Sequence, residues 1–149
     1  MLQQEDVIVK AIGIISDSMR DSMRRFKEAS QTSKELFNLS ITQLHYLHAI
    51  KERNNVTITE LAELFGVQKS TVTVTVNKLL QSGFIEKLTS KDDLRVVYVS
   101  LTDQGKEIIE LEDTGYRQFA ASILAMLNKE EQATFTYLLN KVTNTITRK

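Results

Sequence analysis

The sequence has no cysteine, no proline and no tryptophan among its 149 residues, and only five glycines. Without cysteine there are no disulfides, no thiolate metal sites and no thiol redox sensing. At average usage of about 5 per cent, proline would appear several times. Its absence, with so little glycine, favours a mostly helical chain. Charge of one sign is missing too, with 19 basic residues balancing 19 acidic ones. No long hydrophobic run occurs. The longest, Phe119 to Leu127, is far too short for a membrane span. Met1 to Asp6 is polar with no apolar core after it, unlike a signal peptide. A cytoplasmic protein without a membrane partner is expected. Catalytic signatures are also lacking: there is no Gly-rich phosphate loop, no GxSxG and no paired acidic motif. An enzyme is not expected, and no cofactor is implied.

What is present is a 42 per cent hydrophobic content, enough for a core, arranged with helical period. From Glu5 to Lys27, residues Val7, Ile8, Ala11, Ile15, Met19, Met23 and Phe26 recur at spacings of three and four. Arg20, Arg24 and Lys27 lie on another face, where a solvated stripe is the plain reading. A second helix opens at Ser40, with a Ser40–Gln43 capping box and a Leu39–Leu44 staple, and runs to about Glu52. Thr57 and Glu60 make another capping box. The helix after it buries Ile58, Leu61, Ala62 and Phe65 and stops at Gly66, and Val67 should plug the corner that follows.

Two periods conflict in the next segment. Val72-Thr73-Val74-Thr75-Val76 alternates like a strand. As a helix, the same residues put Val72, Val76, Leu79 and Leu80 on one face, and that period continues through Gln81 where alternation fails. Propensity differences are tenths of a kcal/mol per residue and packing overrides them, so a helix is expected. Phe84–Leu88 and Val96–Leu101 read as strands around a polar tip, Thr89 to Arg95. Thr102 can cap a long helix from Asp103 to about Leu127, and an Asn128–Glu131 capping box opens a last one with Ala133, Phe135, Leu138, Leu139, Val142 and Ile146 on its stripe.

Helix, glycine turn, helix, then a hairpin is the order of a winged helix-turn-helix, which sets one helix in the DNA major groove and a loop beside it. The fold expected is mainly α with a small β-hairpin wing: a winged helix-turn-helix region at 39–102, flanked by helical dimerisation regions at 1–38 and 103–149. The flanking helices carry more apolar surface than one small domain can cover, which points to a twofold homodimer. Between Thr57 and Leu101 five basic residues (Lys69, Lys78, Lys87, Lys91, Arg95) face five acidic ones, but two acids fall on the first helix and four bases on the second helix or the wing. The DNA face can thus be basic in a neutral module.

With its inward face set by Val72, Val76 and Leu79, the second helix presents Lys69, Ser70, Thr71, Thr73, Val74, Asn77 and Lys78. Hydroxyls and amides near a helix start suit phosphates and base edges. Val74 either packs on the module and reads nothing, or meets a thymine methyl in an A·T-rich operator. In the wing, Lys91 is a looser phosphate contact. Arg95 is the wing residue expected to meet DNA, since narrow A·T-rich minor grooves attract arginine electrostatically, the alternative being an Asp–Arg turn clasp that never touches DNA.

Two other readings compete. His45, His48 and Glu52 share one helical face and could form part of a metal site in a metal-responsive regulator, though no fourth ligand is evident. A winged helix can also serve as a protein-interaction module without DNA.

The chain resembles the MarR family, the multiple-antibiotic-resistance regulators, along nearly its whole length. The resemblance rests on Leu39-Ser40-Ile41-Thr42-Gln43, Glu60-Leu61-Ala62, Lys69-Ser70-Thr71-Val72-Thr73, Gly83-Phe84-Ile85-Glu86-Lys87, Asp92-Asp93-Leu94-Arg95 and Leu101-Thr102-Asp103-Gln104-Gly105, in that order and spacing. It implies a homodimer on a pseudo-palindromic, double-stranded DNA operator, usually a repressor released by a small apolar or aromatic anion. It implies a wing arginine in the minor groove at Arg95 with Asp93 as its orienting carboxylate, and an effector pocket for which Ile15, Met19, His45, Tyr46, Tyr116 and Phe119 are candidate lining residues. Two positions depart from the pattern. Lys87 stands where the family commonly has arginine, and Leu94 where it often has a basic residue.

Overall fold

The computed structural model describes residues 1, 3–29 and 39–147. The part of the expected N-terminal dimerisation region at 30–38 lies outside the described residues. The elements in chain order are α1 (Gln4–Ala29), α2 (Ile41–Arg53), β1 (Val56–Thr57), α3 (Ile58–Phe65), α4 (Lys69–Gln81), β2 (Ile85–Thr89), β3 (Val97–Leu101), α5 (Asp103–Leu124) and α6 (Lys129–Thr147). The chain forms two compact units, one of residues 27–113 and one of residues 1–26 with 114–149.

The first is the winged unit. Its helices start where the sequence places caps. Ser40 Oγ accepts from the Gln43 amide at 3.1 Å while Gln43 Oε1 accepts from the Ser40 amide at 2.8 Å. Thr57 and Glu60 exchange the same pair of bonds at the head of α3. Gly66 ends α3 at φ 63°, a left-handed position that costs glycine nothing, and its amide donates back to Ala62 and Glu63 carbonyls. Val67 corrects the expectation that it plugs the corner: it is exposed, whereas Leu61, Ala62 and Val72 on the flanking helices are buried in the core.

The alternating valine–threonine segment is α4, a helix. Val72, Val76 and Leu79 are fully buried, so tertiary burial of one helical face outweighs the strand preference of β-branched residues. The hairpin pairs β2 with β3 antiparallel from Ile85↔Leu101 to Thr89↔Val97. A third strand, β1, has no counterpart in the sequence reading. It pairs Val56 with Val99 and Thr57 with Tyr98, giving the sheet order β1-β3-β2. Two residues are too few to show alternation, and Asn54 and Asn55, at φ 47° and 72°, turn the chain into register.

The first turns of α5 also belong to this unit. Ile108 and Ile109 join its core, and Thr102 Oγ1 donates to the Gly83 carbonyl at 2.6 Å. A boundary between 102 and 103 therefore falls inside the compact unit, which continues to Asp113. Gly105 is required by this packing: a Cβ there would stand 2.1 Å from the Phe84 carbonyl oxygen.

The second unit is helical. Among the described residues its buried hydrophobic side chain is Met23, which packs with Phe26 against the surface left open by Gly115. The expected helix from Asp103 to Leu127 stops at Leu124. There the amides of Met126 and Leu127 tighten onto Ile123 and Leu124 carbonyls. The Gln132 side chain takes up the Leu124 and Leu127 carbonyls at 2.8 and 3.0 Å, which satisfies the helix end. Asn128 and Glu131 form the expected capping box of α6. Among the described residues no helix is long and apolar enough to cross a membrane.

Candidate nucleic-acid interface

Burial of Val72, Val76 and Leu79 fixes which side of α4 faces outward. Lys69, Ser70, Thr71, Val74, Asn77 and Lys78 are exposed and Thr73 is half-buried. The Thr73 hydroxyl donates to the Lys69 carbonyl at 2.8 Å, so its remaining capacity is that of an acceptor. Val74 is 57% exposed, on the outward side with the polar residues of α4. Gln68 stands at the N-cap with no side-chain bond to the first turn, unlike the boxed starts of α2 and α3. The Thr71 and Val72 amides donate to the Gln68 carbonyl at 3.0 and 3.2 Å, which leaves the Lys69 and Ser70 amides at the helix start, where an anion is favoured.

The wing tip is held by local bonds. Ser90 Oγ accepts from the amides of Asp92 and Asp93 at 3.2 and 3.3 Å. Asp93 Oδ1 accepts from the Arg95 amide at 3.0 Å, and the Val96 amide closes a turn onto the Asp93 carbonyl at 3.0 Å. The Arg95 Nε lies 3.9 Å from the same carboxylate while the side chain stays 96% exposed. Asp93 thus binds the backbone of Arg95 more closely than its guanidinium, and the clasp leaves the guanidinium donors largely uncommitted. Lys91 is exposed beside it. Ser90 was not singled out from the sequence, although a serine two and three residues ahead of unpaired amides is a known turn signal.

The other sequence candidates divide between the units. Tyr46 is buried in the winged core, its ring stacked on Phe65 at 4.5 Å and 11°. His45 is exposed on the same helix. In the helical unit, Ile15 and Phe119 line one cavity of about 360 Å³ together with Ile123, Leu124, Phe135 and Leu139. Met19 is half-buried and Tyr116 exposed in that unit. The His45–His48–Glu52 metal alternative does not assemble: among the described residues no three His, Cys, Asp or Glu side chains are grouped to hold a metal. His48 turns instead to Glu112, its Nε2 lying 2.8 Å from Oε2 of that buried carboxylate. That contact spans α2 and α5, and no local pattern announces it.

The fold and this surface define a winged helix-turn-helix regulator of transcription. A model of the MarR family matches residues 39–97, the winged part of the chain. An uncharacterized regulator of Bacillus subtilis strain 168, YwaE, is 28% identical over 142 residues, spanning 95% of this chain and 83% of that protein. The transcriptional repressor MdtR of the same strain is 26% identical over 125 residues, 84% of this chain and 81% of MdtR. The crystal structure of Streptococcus pneumoniae FabT in complex with DNA has the same fold, with a TM-score of 0.76 at 22% identity over 98% of this chain and 99% of that one. Residues 39–97 form a MarR-family region, and the chain is a DNA-binding transcriptional regulator and not an enzyme.

Proposed function

We propose that the protein is a homodimeric, cytoplasmic repressor that binds an A·T-rich pseudo-palindromic operator and is released by a small apolar or aromatic anion. The observation that carries the DNA part is the wing: the Arg95 side chain is 96% exposed on a turn whose backbone is pinned by Asp93 and Ser90. Arginine is drawn to the negative potential of a narrow A·T-rich minor groove. On α4, Lys69, Ser70, Thr71, Asn77 and Lys78 supply phosphate and base-edge contacts. Thr73 adds an acceptor, and Val74 meets a thymine methyl. Lys91 neutralises a backbone phosphate.

Dimerisation is supported by apolar residues left open on the helical unit, among them Val9, Ile12, Val142 and Ile146. A second copy would cover them and present two recognition helices to two half-sites. The effector reading draws on the cavity lined by Ile15 and Phe119. A ligand held there by one arrangement of the dimer shifts the population away from the arrangement that fits the operator. The relative MdtR carries the word repressor in its name, which favours repression over activation here.

The test is fluorescence anisotropy with the duplex upstream of the protein's own gene and a scrambled duplex, across a salt series. Selective binding whose affinity falls steeply with salt is expected. Equal, weak binding to both duplexes would contradict the reading.

A further inference from the structure

The wing tip carries two outward residues, not one. The turn closed by the Val96 amide on the Asp93 carbonyl has Leu94 and Arg95 as its two central residues. Leu94 is 80% exposed, and Arg95 beside it is 96% exposed along its side chain. Three further bonds, donated by the amides of Asp92 and Asp93 to Ser90 Oγ and by the amide of Arg95 to Asp93 Oδ1, hold the turn without using the side chain of Leu94 or Arg95. Leucine contributes nothing to this turn that a polar residue would not. Its neighbours Lys91, Asp92 and Asp93 are all charged, and it is far more exposed than Leu88 and Val97 on the strands of the wing. A large apolar group on a rigid projection has its use in what the projection enters.

Resting on the DNA reading above, we propose that Leu94 is a specificity-determining residue: it enters the minor groove with Arg95 and wedges against a deformable pyrimidine–purine step beside the narrow A·T stretch that Arg95 occupies. The walls of that groove are deoxyribose, which is apolar enough to receive a leucine. Leucine is among the side chains that press between base steps and partly unstack them. The cost of unstacking is least at TA and CA/TG steps, so a residue that makes no hydrogen bond still selects sequence through deformability. The pair then divides the work. Arg95 answers to the electrostatic depth of the groove, and Leu94 to the flexibility of one step. Of the two, only Arg95 contributes to counterion release, because Leu94 carries no charge.

The experiment compares wild type, Leu94→Ser and Arg95→Ala by anisotropy on the duplex upstream of the protein's own gene. A second version of that duplex has the TA or CA step at the wing position replaced by AA. Leu94 is exposed, so Leu94→Ser should unfold at the wild-type temperature, which a thermal scan verifies. Leu94→Ser should bind the first duplex about tenfold more weakly, with the wild-type salt slope, and should no longer distinguish the two duplexes. Arg95→Ala should lower the magnitude of the slope by about one per subunit. A 2-aminopurine placed at the step should brighten with wild type and not with Leu94→Ser. Wild-type discrimination that survives in Leu94→Ser overturns the inference while leaving the DNA reading intact. Failure of the wild type to prefer its own duplex over a scrambled one overturns the DNA reading itself.

Discussion

The two units of this chain spend their apolar residues in opposite ways. Among the described residues every buried hydrophobic side chain except Met23 belongs to the winged unit of residues 27–113. There α2, α3, α4, the sheet and the start of α5 close a core around Leu47, Ile50, Leu61 and Ile109. In the helical unit, α6 buries none of its residues, and Val142 and Ile146 stand more than half exposed. One unit is completed by its own chain. The other has the amphipathic pattern of a packed helix without the packing, which is what a surface meant for a second copy looks like in one copy. The proposed DNA contacts lie on the unit that closes its own core, and the proposed dimer surface on the unit that does not.

Breaking the comparison at its strong end should cost most. Leu47→Ala, at a fully buried position, should lower stability by about 3 kcal/mol through a cavity in the winged core, read by denaturant unfolding. Gly105→Ala comes next, at about 2 kcal/mol by the same readout, because its methyl meets the Phe84 carbonyl and a backbone cannot step aside as a side chain does. Val142→Asp should do the reverse of both. The winged unit should unfold as in wild type, while the dimer dissociation constant rises at least tenfold, about 1.4 kcal/mol, in a sedimentation dilution series. Unchanged association in that variant would place the interface elsewhere. The smallest effect is expected from Thr57→Ala, about 1 kcal/mol of unfolding free energy from the lost cap of α3.

What the sequence disclosed follows the same divide between local and distant causes. Capping boxes at Ser40, Thr57 and Asn128 are made by residues three apart, and all three are formed. The period of Val72, Val76 and Leu79 revealed α4 against its own strand-like composition, because a buried face repeats and a propensity does not. The exposed set on α4 was legible for that reason, and the Asp93–Arg95 tip through the family resemblance. Unseen were features settled by residues far along the chain. β1 exists because β3 lies beside it. Glu112 meets His48 across 64 positions of sequence. The end of α5 depends on Gln132 reaching back to Leu124. Val67 looked like a plug because its type suits a corner, yet the helices around it closed without it.

The central claim is that one copy of this chain is an unfinished object whose helical unit is completed by another. Sedimentation equilibrium of the full chain, alone and on its duplex, tests this most directly. The account predicts two chains of 17.0 kDa each in the free protein and two on one duplex. A free protein that stays at the mass of one chain at micromolar concentration, and binds DNA as one chain, would contradict it.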